Sequence, residues 1–372
     1  MSAPGRPKRA LRPLGGSAAA KPPAWGEHTS LPLAVDYPPA EAKSVDALPQ
    51  GREWEYEPKW DGFRCLAFKD GDDVDLRSKS GQPFDRYFPE IVDAVKALPV
   101  ARCVLDGELV VPEGDALSFD ELLMRIHPAE SRVRKLAREH PALYIVFDLL
   151  VDAEGRSLVA ETQEARRNAL ERFAKRAFAN ATRFRVSPAT RALDEARTWL
   201  DALGGGLDGI VAKRVDLPYR SGERTGMQKY KRMRTADCVV GGFRYGAKTQ
   251  VVGSLLLGLY DNAGLLDHVG FTSNIPSAER PALTKRLEAL IEKPGFTGNA
   301  PGGPSRWSTE RTGEWAPLRP TLVVEVRYDH FSGGRFRHGT SFLRWRPDKA
   351  PRQCTFEQVA TRPADVAGLL GS

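Results

Sequence analysis

A lysine beside an acid and a glycine is the feature of this sequence with the clearest chemical potential. It lies in the run Glu57–Arg64, which reads EPKWDGFR and is followed by a strand-like segment. The amine of Lys59 is a nucleophile once it loses its proton, but at an ordinary pKa near 10.4 only about one lysine in a few thousand is neutral at pH 7. Burial or nearby cations must lower that pKa. Without them, Lys59 is a surface lysine before a turn.

Charged residues recur inside or beside other apolar segments. Glu108 sits within a β-branched run, and Asp208 precedes an apolar run that ends at Lys213. Lys229 and Lys231 follow a polar loop. Buried strands rarely keep charges that are neither paired nor used. Each case alone also fits a strand-edge ion pair, a turn or a solvated face, but their number and order indicate a shared site.

Composition limits the classes of protein to consider. The chain has 372 residues, of which 41% are hydrophobic and 28% charged, as in soluble globular proteins of about two domains. No apolar run approaches the roughly 18 residues of a membrane span. The four cysteines are far apart, which predicts reduced thiols and no zinc site. A net charge of +7 favours a polyanionic partner.

Composition and hydrophobic pattern along the chain predict three segments. Residues 1–27 are rich in Ala, Pro, Gly and Arg, which is typical of a disordered basic tail. Residues 28–235 mix strands, the strongest at 143–150, with amphipathic helices. Residues 236–372 consist mainly of short strands with one helix, near 277–292, which indicates a small β-barrel of the OB kind.

Seven short motifs occur in order along the chain. They read KWDG at 59–62, SKSG at 78–81, DGELV at 106–110, YIVFD at 144–148, DGIV at 208–211, KYK at 229–231 and RWRPDK at 344–349. This series resembles that of the covalent nucleotidyltransferases, specifically the ATP-dependent DNA ligases. The residues around Lys59 and the short length of the chain resemble those of the small bacterial DNA ligase C group. The resemblance covers about residues 30–360.

The resemblance implies an α+β fold. An ATP-grasp-like nucleotidyltransferase domain with antiparallel sheets and flanking helices would be followed by a C-terminal OB-fold β-barrel. The implied activity is an ATP-dependent DNA ligase that seals 3′-hydroxyl/5′-phosphate nicks in duplex DNA. It would proceed through lysyl-AMP, DNA adenylylation and phosphodiester formation, in DNA repair.

The resemblance also implies roles for the nucleotide site. Lys59 would attack the α-phosphate of ATP. Lys229 and Lys231 would contact that phosphate, and as like charges they would lower the pKa of Lys59. Glu108 would accept a hydrogen bond from a ribose hydroxyl.

The adenine would be held between side chains from different strands. Phe147 would stack on one face, with Ile210 or Val211 on the other. The main chain near Glu57, helped by its side chain, would read the base edge, and we place Lys213 in the same nucleotide-binding set.

Metal and phosphate contacts complete the implied site. Asp208, with Glu108, would hold Mg²⁺, with Mn²⁺ as an alternative, because magnesium suits one or two carboxylates plus phosphate oxygens. Arg64 and the loop containing Lys79 would handle the 5′-phosphate of the nick, with Arg77 sharing this work. Three residues of the last motif would orient pyrophosphate after a domain rotation: Arg346, Asp348 and Lys349.

Three positions depart from the family pattern, and three alternatives stay open. Lys79 stands where arginine is common, Asp208 where glutamate is usual, and Met227 where a tryptophan is frequent. The alternatives are an mRNA-capping-type guanylyltransferase, an RNA-strand ligase and a catalytically silent nucleic-acid-binding module. For the ligase we expect nicked duplex DNA and repair polymerases as partners, a monomer, no membrane, and a cytoplasmic, nucleoid-associated location.

Overall fold

The computed structural model describes residues 30–202, 207–247, 249–302, 314–360 and 366–370. The predicted basic tail, residues 1–27, lies outside these ranges. Within them, no helix has both the length and the apolar character needed to cross a membrane.

The regular elements of the described residues alternate in the first two thirds of the chain and are mostly strands thereafter. The strands are β1 (Lys43–Val45), β2 (Trp54–Lys59), β3 (Phe63–Asp70), β4 (Asp73–Ser78), β5 (Arg102–Val110), β6 (Pro112–Glu113), β7 (Ala116–Leu117), β8 (Leu143–Val151), β9 (Phe184–Val186), β10 (Gly209–Arg214), β11 (Met227–Lys231), β12 (Arg234–Tyr245), β13 (Val252–Tyr260), β14 (Leu266–Thr272), β15 (Ala316–Pro317), β16 (Val323–Tyr328), β17 (Phe331–Ser332), β18 (Arg335–Phe336) and β19 (Ser341–Trp345). The α-helices are α1 (Pro89–Lys96), α2 (Phe119–Met124), α3 (Glu130–Glu139), α4 (Gln163–Ala177), α5 (Leu193–Ala202), α6 (Arg280–Glu288) and α7 (Val366–Leu370).

A small sheet and a large sheet form the N-terminal part. The small sheet has the order β1-β11-β10-β2, with β1 parallel to β11 and the other pairs antiparallel. The large sheet has the order β4-β3-β5-β8-β9, with only β9 added in parallel. The predicted α+β class with mainly antiparallel sheets is confirmed for this part.

Apolar side chains pack the two sheets against each other. Other apolar side chains pack helices onto the large sheet. Tyr56 and Ile210 of the small sheet share one buried cluster with Val110 and Ile145 of the large sheet. A second cluster packs α1, α2 and α4 on the far side of the large sheet. Each large apolar side chain buried in this way contributes about 1.5–3 kcal/mol, so the sheets are held firmly enough to position polar groups between them.

The C-terminal part is an antiparallel sheet with its own core. Its strand order is β14-β13-β12-β16-β19, and β15 also pairs with β12. The order is an open path through the described residues, so the closed barrel expected from the sequence is not confirmed. The outer strands approach each other at one isolated parallel bridge, Thr272–Thr340, rather than along a ladder.

The end of the chain returns to the N-terminal part. Val366 of α7 belongs to the cluster that joins the two N-terminal sheets, and its backbone N–H donates to Asp115. The sequence places residues 366–370 in the predicted second domain, residues 236–372. Their apolar contacts, however, lie with residues of the N-terminal part. The short sequence VAGLL carries no signal that distinguishes the two cores.

Candidate active site

A cleft of about 200 Å³ opens between residues of the small and large sheets. Lys59 lies in it at the end of β2. Both sheets contribute strand residues. The rest of the lining comes from the N-terminal arm (residues 30–42), from Trp60 after β2 and from the loop after β4. The lining residues are Glu41, Ala42, Glu57, Pro58, Lys59, Trp60, Arg64, Lys79, Glu108, Phe147, Val211, Lys213, Met227 and Lys229. The cleft therefore collects most of the nucleotide-site residues predicted from the sequence.

Strand register brings Lys59 and Asp208 together. Gly209 pairs with Lys59 on one side and with Lys231 on the other, so Asp208 emerges beside both lysines. The glycine has φ +149°, and a Cβ there would overlap the carbonyl oxygen of Tyr230. Lys59 Nζ lies 2.6 Å from Asp208 Oδ2. Burial alone would raise the pKa of Asp208, but Lys59 and then Lys231 hold it below its ordinary value.

The two lysines of β11 have different surroundings. Lys231 Nζ lies 3.6 Å from Asp208 Oδ2 and 3.0 Å from Asp329 Oδ2. Lys229 lines the cleft, and its side chain has no ion pair or hydrogen bond with the described residues. Burial and the neighbouring cations, first Lys59, lower the pKa of Lys229. The Asp208 carboxylate, predicted as a metal ligand, lies between Lys59 and Lys231, so Lys59 faces an anion as well as like charges.

Glu108 faces the cleft from β5. In the antiparallel pairing of β3 with β5, Glu108 lies opposite Arg64. Burial raises the pKa of Glu108 to about 8, against the opposing effects of Lys59 and Arg64. A carboxyl group with this pKa is mostly protonated at pH 7, so it can both donate to and accept from a hydroxyl group.

Phe147 and Val211 form apolar walls of the cleft. Lys213 Nζ lies 4.8 Å from the centroid of the Phe147 ring, and the Arg64 guanidinium lies 5.2 Å from it. Val211 is half-buried, whereas Ile210 is fully buried in the core beside Tyr56. The prediction of Ile210 as a base contact is wrong, because successive strand residues point to opposite faces.

A buried ion pair supports this wall. Glu57 is 2% exposed, and Lys213 Nζ lies 2.7 Å from its Oε1 atom. Lys213 also donates to the carbonyl oxygen of Phe147, at 3.1 Å. Burial raises the pKa of Glu57, while Lys213 and Arg167 oppose the increase. The pair thus links β2, β8 and β10 directly beneath the cleft.

Of the three residues predicted to bind the 5′-phosphate of a nick, two line the cleft and one does not. Arg64 lines the cleft, but it donates to both oxygens of Asp106, at 2.9 and 2.6 Å, and to Ala40 O at 2.8 Å. Arg77 turns onto Asp75, with Nη2 2.6 Å from Oδ2, and does not line the cleft. Its predicted share in the phosphate contact is therefore not supported. Lys79 lines the cleft and is half exposed.

A C-terminal segment, residues 327–339, contacts the charged residues around Lys59, and sequence reasoning missed it. Arg337 Nη1 lies 2.6 Å from Asp61 Oδ2, and its guanidinium lies 3.9 Å from the ring centroid of Phe119. Asp329, which pairs with Lys231, and His330 belong to the same segment. The charge-rich sequence RYDHFSGGRFRHG at 327–339 was the available signal.

Three of these side chains are close enough to hold a metal ion. Ligand atoms of Asp61, Asp208 and His330 lie within 4.8 Å of one another. Glu108, predicted as a partner of Asp208 in metal binding, is not part of this group. Both carboxylates already face cations, Arg337 for Asp61 and Lys59 for Asp208.

The last predicted set lies elsewhere, around a buried aspartate of β12. Arg346 Nη1 lies 2.9 Å from Asp237 Oδ1, and Lys349 Nζ lies 3.4 Å from Asp237 Oδ2. Asp348 pairs with Arg346, with Nη2 2.8 Å from Oδ2. The structure does not bring these side chains to Lys59.

A lysine-centred cleft between two sheets, followed by an antiparallel C-terminal sheet, defines the class as covalent nucleotidyltransferases. Residues 38–231 match the family model described as ATP dependent DNA ligase domain, and residues 248–349 match that of the ATP dependent DNA ligase C terminal region. The chain belongs to the ATP-dependent DNA ligase family and is a DNA ligase, which confirms the resemblance inferred from its motifs.

Individual relatives agree with this assignment. The chain is 44% identical to DNA ligase C2 of Mycolicibacterium smegmatis over 354 residues, covering 90% of this chain and 97% of that protein. It is 31% identical to the multifunctional non-homologous end joining DNA repair protein LigD of Mycobacterium tuberculosis over 310 residues, covering 82% of this chain and 38% of that protein. A solved structure from a structure-function study of Lig E DNA ligases shares the fold, with a TM-score of 0.51 and 19% identity over 83% of this chain and 99% of that one.

Proposed function

We propose that this ligase seals nicks bearing a 3′-hydroxyl and a 5′-phosphate in duplex DNA, through a lysyl-AMP intermediate formed on Lys59. The observation that carries the proposal is the position of Lys59. It lies at the end of β2 in the cleft, 2.6 Å from Asp208 and beside the two lysines of β11.

In the first step, the neutral amine of Lys59 attacks the α-phosphorus of ATP. An N–P bond forms as the bond to the bridging oxygen breaks, and pyrophosphate leaves with that electron pair. The nitrogen gives up one proton to water as the phosphoramidate forms. The hydrogen bond from Lys59 to Asp208 orients the amine. The Lys229 ammonium has no partner among the described residues and lines the cleft, so it is available to the charge that develops on the α-phosphate.

The remaining lining suits a nucleoside. A protonated Glu108 can exchange hydrogen bonds with a ribose hydroxyl. Phe147 and Val211 offer apolar surface to a base, and the strand bearing Glu57 lies along the same wall. The ion pair between Glu57 and Lys213 holds this wall in place.

Asp208 fits a magnesium site because it offers carboxylate oxygens beside the place of the triphosphate. When bound, Mg²⁺ would supply charge neutralisation of the phosphates. Mn²⁺ would also suit His330, since imidazole is a better ligand for transition metals than for magnesium. Asp208 would have to exchange its contact with Lys59 for the ion.

We infer that the C-terminal part moves during the reaction cycle. Arg346, Asp348 and Lys349 would orient pyrophosphate, but they lie around Asp237 and outside the cleft. A rotation about the connection between β11 and β12, near the proposed domain boundary at residue 235, would carry them to Lys59. We propose that this part, from residue 236, is an OB-like barrel whose seam lies near Thr272 and Thr340.

We also propose the cellular setting. The net charge of +7 and the cationic cleft suit nicked duplex DNA, and the likeness to LigD, which is named as a DNA repair protein, supports a role in DNA repair. Repair polymerases would be its partners there. The protein would act as a monomer in the cytoplasm, associated with the nucleoid.

The test is incubation with α-labelled ATP or GTP and Mg²⁺, followed by a sealing assay on a nicked duplex. We expect covalent labelling by ATP and sealing of the nick. Labelling by GTP alone would point to the capping-type alternative. Binding of nicked DNA without any labelling would point to a silent binding module.

A further inference from the structure

A buried tyrosine hydroxyl lies behind the arginine of the cleft. Tyr219 belongs to the loop between β10 and β11 and is 7% exposed, and its hydroxyl donates to Asp106 Oδ2 at 2.6 Å. The same oxygen accepts from the backbone N–H of Ala40 at 3.0 Å and from Arg64 Nη2 at 3.4 Å. The motif series implies no role for Tyr219 or Asp106.

This hydroxyl uses its whole capacity for hydrogen bonds. A phenolic oxygen has one hydrogen to donate and two lone pairs to accept with, and the three contacts with Asp106, Ala40 and Arg64 use them all. Burial, followed by the charge of Asp106, raises the pKa of Tyr219 well above its ordinary value. The hydroxyl therefore stays protonated near neutral pH and keeps donating to the carboxylate.

The Arg64 guanidinium has five N–H groups, and four of them are engaged inside the protein. Nε and Nη2, which form the forked edge, donate to the two oxygens of Asp106. Nη2 also donates to Tyr219, and Nη1 donates to the carbonyl oxygen of Ala40 at 2.8 Å. The second N–H of Nη1 has no partner among the described residues. Because Arg64 lines the cleft, this N–H is the donor left for a bound molecule.

The surroundings limit the movement of Arg64 and define the side of the cleft to which it belongs. Its guanidinium lies 5.2 Å from the centroid of the Phe147 ring, and the guanidinium of Arg166 lies 5.4 Å from that of the Tyr219 ring. Glu108 also lines the cleft and lies opposite Arg64 in the pairing of β3 with β5. Residues directly opposite in an antiparallel pair share one face of the sheet, so the unpaired N–H lies on the Glu108 side.

We propose that Tyr219 is a positioning residue for the nucleotide step. Its hydroxyl holds Asp106 and the backbone of Ala40, which in turn hold Arg64, so that Arg64 presents a single N–H to ATP on the Glu108 side. The forked edge is paired with Asp106 and is not available for bidentate binding of a phosphate. This inference rests on the proposed function, and it assigns Arg64 to ATP rather than to the nick.

The experiment measures the KM for ATP and the rate at saturating ATP in self-adenylylation of the full chain, together with its melting temperature. Tyr219→Phe keeps the ring and removes only the hydroxyl. We expect it to raise the KM about tenfold, because a hydrogen bond to a charged group is lost. The rate at saturating ATP should stay within about twofold of wild type, since a group that serves binding alone affects KM and not the chemical step.

A double-mutant cycle shows whether the hydroxyl acts through Arg64. Arg64→Lys keeps a cation beside Asp106 but lacks the planar fork, so it should raise the KM at least about tenfold. In that background, Tyr219→Phe should raise the KM by less than about twofold more, because the group that it positions is already gone. Full and independent effects of the two substitutions would overturn the inference.

Two other tyrosines give matched controls. The Tyr144 hydroxyl is also buried and donates to the carbonyl oxygens of Cys65 and Leu105, at 2.8 and 3.0 Å. Tyr144→Phe should lower the melting temperature but leave the KM unchanged. Tyr37 packs on the Tyr219 ring, with 6.2 Å between the ring centroids, and its hydroxyl has no hydrogen bond with the described residues. Tyr37→Phe should therefore change neither quantity.

Other outcomes would also overturn the inference. One is a lowered melting temperature of Tyr219→Phe with an unchanged KM, which would make the hydroxyl purely structural. Another is an unchanged KM with weaker binding of a 5′-phosphate nick, which would return Arg64 to the nick. Should Tyr219→Phe give no folded protein, Asp106→Asn removes the charge that holds the forked edge, and the same increase in KM is expected.

Failure of this inference is distinguishable from failure of the proposed function. If the wild-type chain neither labels itself with ATP nor seals nicks, the proposed function fails. If the wild-type chain does both while Tyr219→Phe and Asp106→Asn leave the KM unchanged, only the role of Tyr219 is refuted.

Discussion

Replacing Glu108 by glutamine should stabilise the protein in a pH-dependent way while it weakens catalysis. Burial raises the pKa of Glu108 from 4.5 to about 8 in the folded protein. The folded state therefore penalises the charged carboxylate, and the penalty is absent below about pH 4.5. It grows as the pH rises towards 8 and is constant above that. Glutamine keeps the shape and removes the titration.

The magnitude follows from the size of the pKa change. At 1.36 kcal/mol per pH unit, an increase from 4.5 to about 8 sets an upper bound of about 5 kcal/mol. The side chain faces a cleft that admits water, so we expect about half of this, roughly 2–3 kcal/mol, at pH 8 and above.

The assay is urea unfolding of wild type and Glu108→Gln at pH 5, 7 and 9. The variant should gain little at pH 5 and most at pH 9. Glu113→Gln, at an exposed position just after the same strand, should show no such trend. If Glu108 binds a ribose hydroxyl, the KM for ATP in self-adenylylation should rise in the same variant. A difference in unfolding free energy that is constant from pH 5 to 9 would refute the reasoning.

Three further predictions concern the reaction steps and the DNA contact. Lys59→Ala should lose covalent labelling by ATP but still seal a pre-adenylylated nick, and residual labelling of Lys59→Ala would contradict the assignment of the nucleophile. Arg337→Ala removes the contact with Asp61 and Phe119, so nick sealing should fall at least tenfold while self-adenylylation is retained; equal losses in both assays would argue against a step-specific role. Nick binding should weaken at least tenfold between 50 and 200 mM salt because phosphate contacts release counterions, and a flat response would contradict a cationic DNA footprint.

Local sequence patterns were enough to predict most regular elements. The apolar run at 143–150 is β8, and the amphipathic helices expected within residues 28–235 include α1 and α4. In α4, Thr162 caps the helix by accepting from the N–H of Ala165. Such signals depend on neighbours within a few residues, so no tertiary information is needed to read them. The short strand β19 carries no such signal, because a single arginine, Arg344, interrupts its few apolar residues.

The face on which a residue lies was decided by strand register rather than by its type. Ile210 and Val211 are similar in chemistry, and both suit a contact with a base. Pairing of β10 with β2 buries Ile210 beside Tyr56 and turns Val211 to the cleft. A shift of one residue would exchange them, and the sequence around position 210 does not exclude it.

Residue types and their spacing were enough to predict the family and the order of the motif residues, and to propose Lys59 as the nucleophile. Only the tertiary structure decided which charges meet. Asp208 faces Lys59 from 149 residues away, and Arg337 meets Asp61 across 276 residues. Glu41 lies between Lys79 and Arg224 through the pairing of the N-terminal arm. Coulombic interactions depend on distance in space, which folding sets and local sequence does not encode.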